Sequence, residues 1–172
     1  MPIEAIARRL ELHAKRRLRL ARDLTRDALT GAVRRSVFLE ELDRGIALAR
    51  RSGRSLGILL FAFEAAELSA ARGRFALLEV VSGLVAQLRA AFRSSDLLAR
   101  LEDGRFAVLL QEAGSDDGRR LLARQLATLA QHRFGAEQDR FTVAFQGGWA
   151  GFPEVPGGSL ALLDAAEASL LG

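Results

Sequence analysis

Hydrophobic and polar positions follow one another along the chain in blocks that predict alternating helices and strands. Apolar residues recur at helical spacing over residues 2–26, 35–51, 75–92, 116–131 and 159–170. Apolar runs of strand length cover residues 56–63, 97–101, 105–110 and 141–149. This order predicts an α+β fold, in which a sheet is layered with helices and preceded by an amino-terminal helix.

Two segments of this pattern are more specific. Residues 56–63 are almost continuously apolar, which is typical of a strand buried at the centre of a sheet. Asp103 and Gly104 separate two strands and predict a tight hairpin, since both residue types tolerate positive φ. Ser115 or Asp116 is the expected cap of the helix that follows.

The first predicted helix divides the chain into residues 1–26 and a domain over residues 27–172. Its apolar positions are Ile3, Ile6, Leu10, Leu20 and Leu24, with arginines between them. Such an amphipathic helix cannot bury its apolar side alone. We expect it to pair with a second copy as a short coiled coil, giving a homodimer, or to pack on the domain.

Positive charge is concentrated in this first predicted helix. The chain has 25 Lys and Arg against 21 acids, and residues 1–26 hold eight of the former against three of the latter. Pairing or packing is favoured over contact with an acidic membrane surface, and no motif supports binding of nucleic acid. The 172 residues contain no cysteine, no signal peptide and no apolar run long enough to cross a bilayer, which predicts a cytoplasmic protein.

Three strings, in their order and spacing, resemble the GGDEF family, the diguanylate cyclases that join two GTP molecules into cyclic di-GMP. DALTG at residues 27–31 matches the family's D-x-L-T-G, and RSSD at residues 93–96 matches its R-x-x-D, five residues before the signature hairpin. FAVLL at residues 106–110 matches the strand after the hairpin. The resemblance spans residues 27–171 and implies a palm-like, ferredoxin-related sheet flanked by helices.

The catalytic positions depart from the family. The signature G-G-D-E-F reads EDGRF, so that Gly104 and Arg105 replace two acids, and the strand that normally ends in D-x-D has Ala62 before Phe63 and Glu64. Two-metal phosphoryl transfer needs several carboxylates to hold Mg²⁺. We therefore expect no metal site, no cofactor and no cyclase activity, and a residual cyclase ranks last among the hypotheses.

Other substrate positions of the family are also altered. The asparagine that follows D-x-L-T-G is Arg34, and the asparagine that would contact guanine falls near Ala70. A shift of the hairpin by one residue could bring Glu102 and Asp103 to the lost acidic positions. It would also turn the faces of the strand over and expose its apolar side chains, so the unshifted register is expected.

The R-x-x-D pair survives as Arg93 and Asp96. In active members of the family this pair forms the inhibitory site that binds cyclic di-GMP. A guanidinium can donate to O6 and N7 of guanine, and a carboxylate can accept from its N1 and N2 groups. Stacked ligands would need another arginine, for which Arg124 is the first candidate, ahead of Arg100 and Arg120. The alternative is that Asp96 only caps the turn and that Arg93 pairs with it.

Two functional hypotheses follow. The first is an inactive cyclase domain that acts as a cyclic di-GMP receptor and signals to an unknown protein partner. The second is a scaffold that binds partners without any ligand. His13 and His132 lack neighbours at metal-ligand spacing. Gly147 and Gly148 indicate a bulge or a point of close packing rather than a phosphate loop.

Overall fold

The computed structural model describes residues 3–170, except for the side chains of residues 3–6, 19 and 21–23. The elements follow in the order α1 (Ile3–Thr25), β1 (Val33–Arg34), α2 (Arg35–Ser52), β2 (Leu56–Ala62), α3 (Ala65–Arg72), α4 (Arg74–Ala91), β3 (Leu97–Glu102), β4 (Arg105–Gln111), α5 (Ser115–Gln131), β5 (Gln146–Phe152) and α6 (Ser159–Ala168).

The strands form one mixed sheet in the order β1-β3-β4-β2-β5. The β1 and β3 strands run parallel, and the other neighbouring pairs are antiparallel. All seven residues of β2 are buried, and this strand pairs along its whole length with β4 and β5. The prediction of a central buried strand is confirmed, as is the α+β fold.

Helices cover both faces of the sheet. On one face, α3, α4 and α5 pack on alternate side chains of β2 and β4, including Phe61 and Phe106. On the other face, α2 and α6 pack on the intervening side chains, including Leu60 and Leu109. Because side chains alternate across a strand, both faces of β2 must be apolar, which explains its continuous apolar run.

Two short elements were not predicted. The β1 strand has two residues, and only pairing with β3 identifies it as a strand. The α3 helix is separated from the end of β2 by two residues, and five of its eight residues are exposed and one is buried. Its exposed positions give almost no apolar stripe, so the helical period is weak in the sequence.

Two predicted boundaries are wrong. The last strand begins at Gln146 rather than at Phe141, which forms only an isolated bridge with Phe134. Residue 114, a glycine without a side-chain hydrogen bond, takes the cap position of α5. Ser115 instead accepts a hydrogen bond from Nε1 of Trp149, at 3.3 Å. In both places the residues concerned contact another part of the chain, at Phe134 and at Trp149.

The amino-terminal helix is continuous, as predicted, from Ile3 to Thr25. Its packing contact with the domain is made near β1. Within residues 3–170, no helix combines the length and the apolar character that crossing a bilayer requires.

Candidate functional site

The turn that stands in place of the family signature lies between β3 and β4. Glu102 pairs with Arg105 across the two strands, which leaves Asp103 and Gly104 at the tip. Of these two residues only Gly104 has a positive φ, of +72°. The predicted hairpin is confirmed, and of the two residues that tolerate positive φ only Gly104 adopts it.

The backbone of Gly104 contacts the end of β2. Its carbonyl oxygen accepts a hydrogen bond of 3.0 Å from the Phe63 N–H. A Cβ atom at position 104 would lie 2.3 Å from the carbonyl oxygen of Phe63, a separation that real Cβ atoms essentially never show. The third signature position therefore cannot hold an acid unless the turn or the end of β2 moves.

The end of β2 brings a single acid to the site. Ala62 pairs with Arg105 of β4, so a methyl group lies at the position that the resemblance assigns to the first carboxylate of D-x-D. Phe63 is buried in the core, and Glu64 is exposed. The carbonyl oxygen of Glu64 accepts a hydrogen bond from the Leu68 N–H at 3.0 Å, which starts α3.

Arg105, at the fourth signature position, faces α6. Its Nε lies 3.7 Å from Oε1 of Glu167, and its side chain is 23% exposed. Its Nη1 donates a weak hydrogen bond of 3.4 Å to the carbonyl oxygen of Gly104. Within residues 3–170, no three or more His, Asp or Glu side chains are grouped so that they could hold a metal ion.

An open depression of about 420 Å³ remains between the end of β2, α3 and the hairpin. Its lining residues are Phe63, Glu64, Ala65, Ala66, Ser69, Leu77, Glu102, Asp103 and Arg105. Three carboxylates thus line the depression, and its one cation already lies near Glu167. Without metal ions this charge pattern repels a triphosphate, because like charges close together are unfavourable.

Neither substrate position altered in the sequence supplies an amide. The Nε of Arg34 donates to the carbonyl oxygen of Arg26 at 3.1 Å. Ala70 is exposed on α3 and has only a methyl group. Neither residue offers the hydrogen bonds with which an asparagine would contact a nucleotide.

The strand register is the one expected without a shift. Pairing of β2 with β4 is continuous from Leu56 with Gln111 to Ala62 with Arg105. Phe106 lies within this ladder, opposite Phe61, and is fully buried. Because a shift of one residue would turn this ring to the opposite face, Glu102 and Asp103 do not reach the positions of the lost acids.

The loop of the DALTG string is held by Asp27. Its Oδ2 accepts hydrogen bonds from the N–H and the hydroxyl of Thr30, at 2.9 and 2.8 Å, and its Oδ1 lies 3.1 Å from Nη1 of Arg100. Burial alone would raise the pKa of Asp27, but the Thr30 hydrogen bonds and the Arg100 charge outweigh it and lower the pKa. Asp27 is therefore charged at neutral pH.

Two arginines contact the loop of the DALTG string, one from each side of the R-x-x-D turn in the sequence. Arg89, near the end of α4, donates to the carbonyl oxygen of Thr30 at 2.8 Å. Arg100 of β3 contacts Asp27, and its Nη2 donates to Oδ1 of Asp103 at 2.9 Å. Arg100 was a candidate for ligand binding, and these two acids make it a weaker one.

The R-x-x-D turn connects α4 to β3 at the end of the sheet away from the hairpin. Oδ2 of Asp96 accepts a hydrogen bond from the backbone N–H of Arg93 at 2.9 Å. The backbone N–H of Asp96 donates to the carbonyl oxygen of Arg93 at 3.0 Å. Asp96 therefore caps the turn, as the alternative hypothesis expected.

The other part of that alternative, an ion pair between Arg93 and Asp96, is not found among the described residues. Arg93 is exposed, and within residues 3–170 no ion pair joins it to Asp96. The turn thus presents a guanidinium and a half-buried carboxylate whose Oδ1 has no hydrogen bond from the described residues.

The other candidate arginines lie on α5. Arg124 is exposed, and its carbonyl oxygen accepts a hydrogen bond from the Thr128 hydroxyl at 3.0 Å. Arg120 is exposed and lies 3.9 Å from Asp117. In the described part of the chain neither has a hydrogen bond or ion pair to Arg93 or Asp96, so a role for Arg124 in ligand binding stays a prediction.

His132 and Gly148 both contact neighbouring elements of the fold. Nδ1 of His132 lies 3.3 Å from Nε2 of Gln87, and its ring packs edge-on against Phe134. A Cβ at Gly148 would lie 2.0 Å from the carbonyl oxygen of Ala166. Close packing of β5 on α6 therefore explains this glycine, as predicted.

Sequence reasoning missed two partners from other elements. Asp43 of α2 accepts hydrogen bonds from the backbone N–H and the hydroxyl of Ser159, at 2.8 and 2.9 Å, and so caps α6 from outside. Glu167 is the partner of Arg105. Neither pair has a local signal, because its members are far apart in the sequence.

Comparison with known proteins agrees with this geometry. The family described as diguanylate cyclase, GGDEF domain, matches residues 24–170. No curated protein sequence matches the chain significantly.

Solved structures share the fold. The GGDEF domain of YfiN (TpbB) from Pseudomonas aeruginosa is 27% identical, with a TM-score of 0.78 over 84% of this chain and 85% of that one. The coiled coil and GGDEF domain of DgcB from Caulobacter crescentus, in complex with cyclic di-GMP, is 18% identical, with a TM-score of 0.82 over 96% and 86%. The diguanylate cyclase SiaD from P. aeruginosa, in complex with its activator SiaC, is 21% identical, with a TM-score of 0.71 over 98% and 69%. The match to the family covers most of the chain, which therefore belongs to the GGDEF domain family.

Proposed function

We propose that this chain is a catalytically inactive GGDEF domain that acts as a receptor for cyclic di-GMP. The proposed contacts are Arg93 and Asp96, with Arg124 as a further arginine for a stacked ligand. The observation that carries the proposal is the turn between α4 and β3. Its backbone is closed by two hydrogen bonds, while the guanidinium of Arg93 stays exposed and unpaired with Asp96.

This arrangement suits one edge of guanine. The Asp96 carboxylate is held by the bond to Oδ2, so little freedom is lost when Oδ1 accepts a further hydrogen bond. The planar guanidinium of Arg93 can donate two parallel bonds to O6 and N7. The solved complexes of the DgcB GGDEF domain with cyclic di-GMP support the choice of ligand.

The depression at the other end of β3 supports the loss of cyclase activity. Catalysis of phosphoryl transfer needs carboxylates that hold two metal ions against the phosphates. Here Ala62, Gly104 and Arg105 occupy acidic positions of the family, and Asp103 is bound by Arg100. Glu64 is the one acid left at the family's metal-binding positions, and a single carboxylate cannot hold two metal ions. We therefore expect no turnover of GTP.

Isothermal titration calorimetry with cyclic di-GMP tests the receptor. We expect a dissociation constant of about 1–10 μM or lower for the wild-type chain, near −7 to −8 kcal/mol or stronger. Arg93→Ala should abolish binding. Arg93→Lys should weaken it by about tenfold or more, because lysine keeps the charge and loses the two parallel hydrogen bonds.

Arg105→Ala is the matched control, since it removes an arginine from the depression between the end of β2, α3 and the hairpin, away from the R-x-x-D turn. Its affinity for cyclic di-GMP should equal that of the wild-type chain. A flat titration of folded protein, or equal losses in Arg93→Ala and Arg105→Ala, would overturn the receptor and favour the ligand-independent scaffold.

Incubation with GTP and Mg²⁺ tests inactivity separately. Chromatography of the products should show no cyclic di-GMP above a protein-free control. Appreciable formation of cyclic di-GMP would overturn the claim of inactivity, whatever the titration shows.

A further inference from the structure

The loop of the DALTG string connects the two elements that flank the R-x-x-D turn. On one side, Nη2 of Arg89, in the last turn of α4, donates to the carbonyl oxygen of Thr30 at 2.8 Å. On the other side, Arg100 of β3 contacts Asp27, and the β1 strand that follows the loop pairs with β3. The α4 helix and the β3 strand are therefore joined twice, by the turn itself and by this loop.

The loop is closed by hydrogen bonds from four of its backbone N–H groups. The N–H of Asp27 donates to the carbonyl oxygen of Ala32, and the N–H of Gly31 donates to that of Asp27, both at 2.7 Å. The N–H groups of Thr30 and Ala32 donate to the side chains of Asp27 and Thr30, at 2.9 and 3.2 Å. Opening of the loop must break these bonds, so exchange of the four hydrogens measures how firmly the loop is closed.

The guanidinium of Arg89 lies directly against the backbone of this loop. Gly31 has a φ of +67°, and a Cβ atom there would lie 3.1 Å from Nη2 of Arg89. Among residues 3–170, no acid forms an ion pair with Arg89. A directed hydrogen bond to a backbone carbonyl therefore holds the end of α4 to the loop.

We propose that Arg89 is a positioning residue for the R-x-x-D turn, and that it couples ligand binding there to the loop that joins α1 to the domain. A ligand held by Arg93 and Asp96 would bridge the same two elements, α4 and β3, that the loop bridges. Two restraints on one relative position reinforce each other, because the first to form bears part of the entropic cost of the second. This role depends on the proposed binding of cyclic di-GMP at the turn.

Hydrogen exchange followed by NMR tests the coupling in the wild-type chain. Saturation with cyclic di-GMP should slow exchange of the four loop N–H groups by about fivefold or more, since coupling between two sites usually reaches that size. The N–H of Asp139 donates to the carbonyl oxygen of Ala136 in a loop that contacts α3. Its exchange should not change, because that loop does not contact the turn.

Arg89→Ala removes the connection between α4 and the loop. It should weaken binding of cyclic di-GMP by about fivefold or more in a calorimetric titration. The slowing of loop exchange by the ligand should also be lost. A cooperative urea transition shows that the variant is folded before it is titrated.

Arg26→Ala is the matched control. Nη1 of Arg26 donates to the carbonyl oxygen of Gly31 at 2.8 Å, so this variant also removes an arginine bond of the same length to the loop backbone. Arg26 belongs to the chain segment that enters the loop and not to α4. Arg26→Ala should therefore largely keep both the affinity and the slowing of loop exchange by the ligand.

Arg89→Lys separates the hydrogen bond from the charge. Lysine keeps a positive charge near the phosphates of the ligand and loses the planar guanidinium. If Arg89 positions the turn, any affinity that lysine restores should return together with the slowing of loop exchange. Full recovery of affinity without that slowing would assign Arg89 to attraction of the phosphates and would overturn the positioning role.

Failure of the coupling and failure of the receptor give different results. A flat titration of the folded wild-type chain refutes the receptor, and the coupling with it. Normal binding by the wild-type chain with unchanged loop exchange refutes the coupling alone. Equal losses of affinity in Arg89→Ala and Arg26→Ala do the same, because they would show that any loosening of the loop has this effect.

Discussion

Replacing Gly104 by alanine tests the tight contact between the hairpin and the end of β2. Gly104 has a φ of +72°, and a Cβ there would lie 2.3 Å from the carbonyl oxygen of Phe63. That oxygen belongs to the backbone, so it cannot turn away as a side chain could. The adjacent hydrogen bond from the Phe63 N–H to the Gly104 carbonyl oxygen, of 3.0 Å, holds the two segments together.

Two effects add in this variant. The left-handed conformation costs an alanine about 1–2 kcal/mol. Relief of the clash by movement of packed backbone adds about 1–3 kcal/mol. We therefore expect Gly104→Ala to lower the free energy of unfolding by about 2–5 kcal/mol, which is a large fraction of the stability of a small domain.

Gly53→Ala separates the two effects. Gly53 has a similar φ of +67°, but nothing lies within 4 Å of its hypothetical Cβ. Gly53→Ala should therefore lower the free energy of unfolding only by the cost of the left-handed conformation, about 1–2 kcal/mol. Urea denaturation followed by the fluorescence of the single, buried Trp149 measures both variants.

Equal losses of stability in Gly104→Ala and Gly53→Ala would show that the turn accepts a side chain, and would refute the argument. The outcome also bears on catalysis. If the clash is real, the double variant Gly104→Asp with Arg105→Glu restores the family's acids in sequence but not in place. It should be destabilised and should still form no cyclic di-GMP from GTP.

Two further predictions concern the core and the opening loop. Gly118→Ala should destabilise the domain by about 1–3 kcal/mol in the same assay, because its Cβ would lie 2.1 Å from the ring of Trp149. Gly114→Ala, with nothing within 4 Å of its Cβ, should change stability little. Asp27→Asn should lower stability by about 1–3 kcal/mol at pH 7 through the loss of charged hydrogen bonds. Since burial raises the pKa of Asp27 but Thr30 and Arg100 lower it below the ordinary value of 3.8, this stabilisation is present above about pH 4 and disappears as the pH falls through the folded pKa. The difference between the wild-type chain and Asp27→Asn should therefore vanish in strong acid, and a constant difference down to pH 2 would contradict it.

The spacing of apolar residues in the sequence predicted those helices and strands that bury a regular face. The apolar run of β2 and the stripes of α2, α4 and α5 each have several buried residues, so that the pattern in the sequence reflects the packing. The α3 helix buries only Ala65, and β1 has two residues, so neither has a pattern to detect. These two elements depend on contacts with other elements, since β1 pairs with β3 and α3 packs on α4.

The candidate site was predicted where spacing along the chain fixes it. The hairpin tip and the R-x-x-D turn are local, and their positions followed from the order of residues. Pairing of Arg100 with Asp27 joins residues 73 positions apart, and only the folded sheet brings them together. The sequence therefore predicted which groups are present better than which of them are already paired.

The proposed loss of catalysis at the hairpin and the proposed binding of ligand at the R-x-x-D turn are physically compatible, because β3 separates the two places. This strand has six residues, from Leu97 beside the R-x-x-D turn to Glu102 beside the hairpin. At about 3.3 Å per residue the two ends lie about 17 Å apart. Gly104 and Arg105 lie at one end of this strand, while Asp96 is held by a hydrogen bond from a backbone N–H at the other. A carboxylate held in this way needs no metal ion and no catalytic acid, so the guanine binding proposed for this turn does not depend on cyclase chemistry at the hairpin.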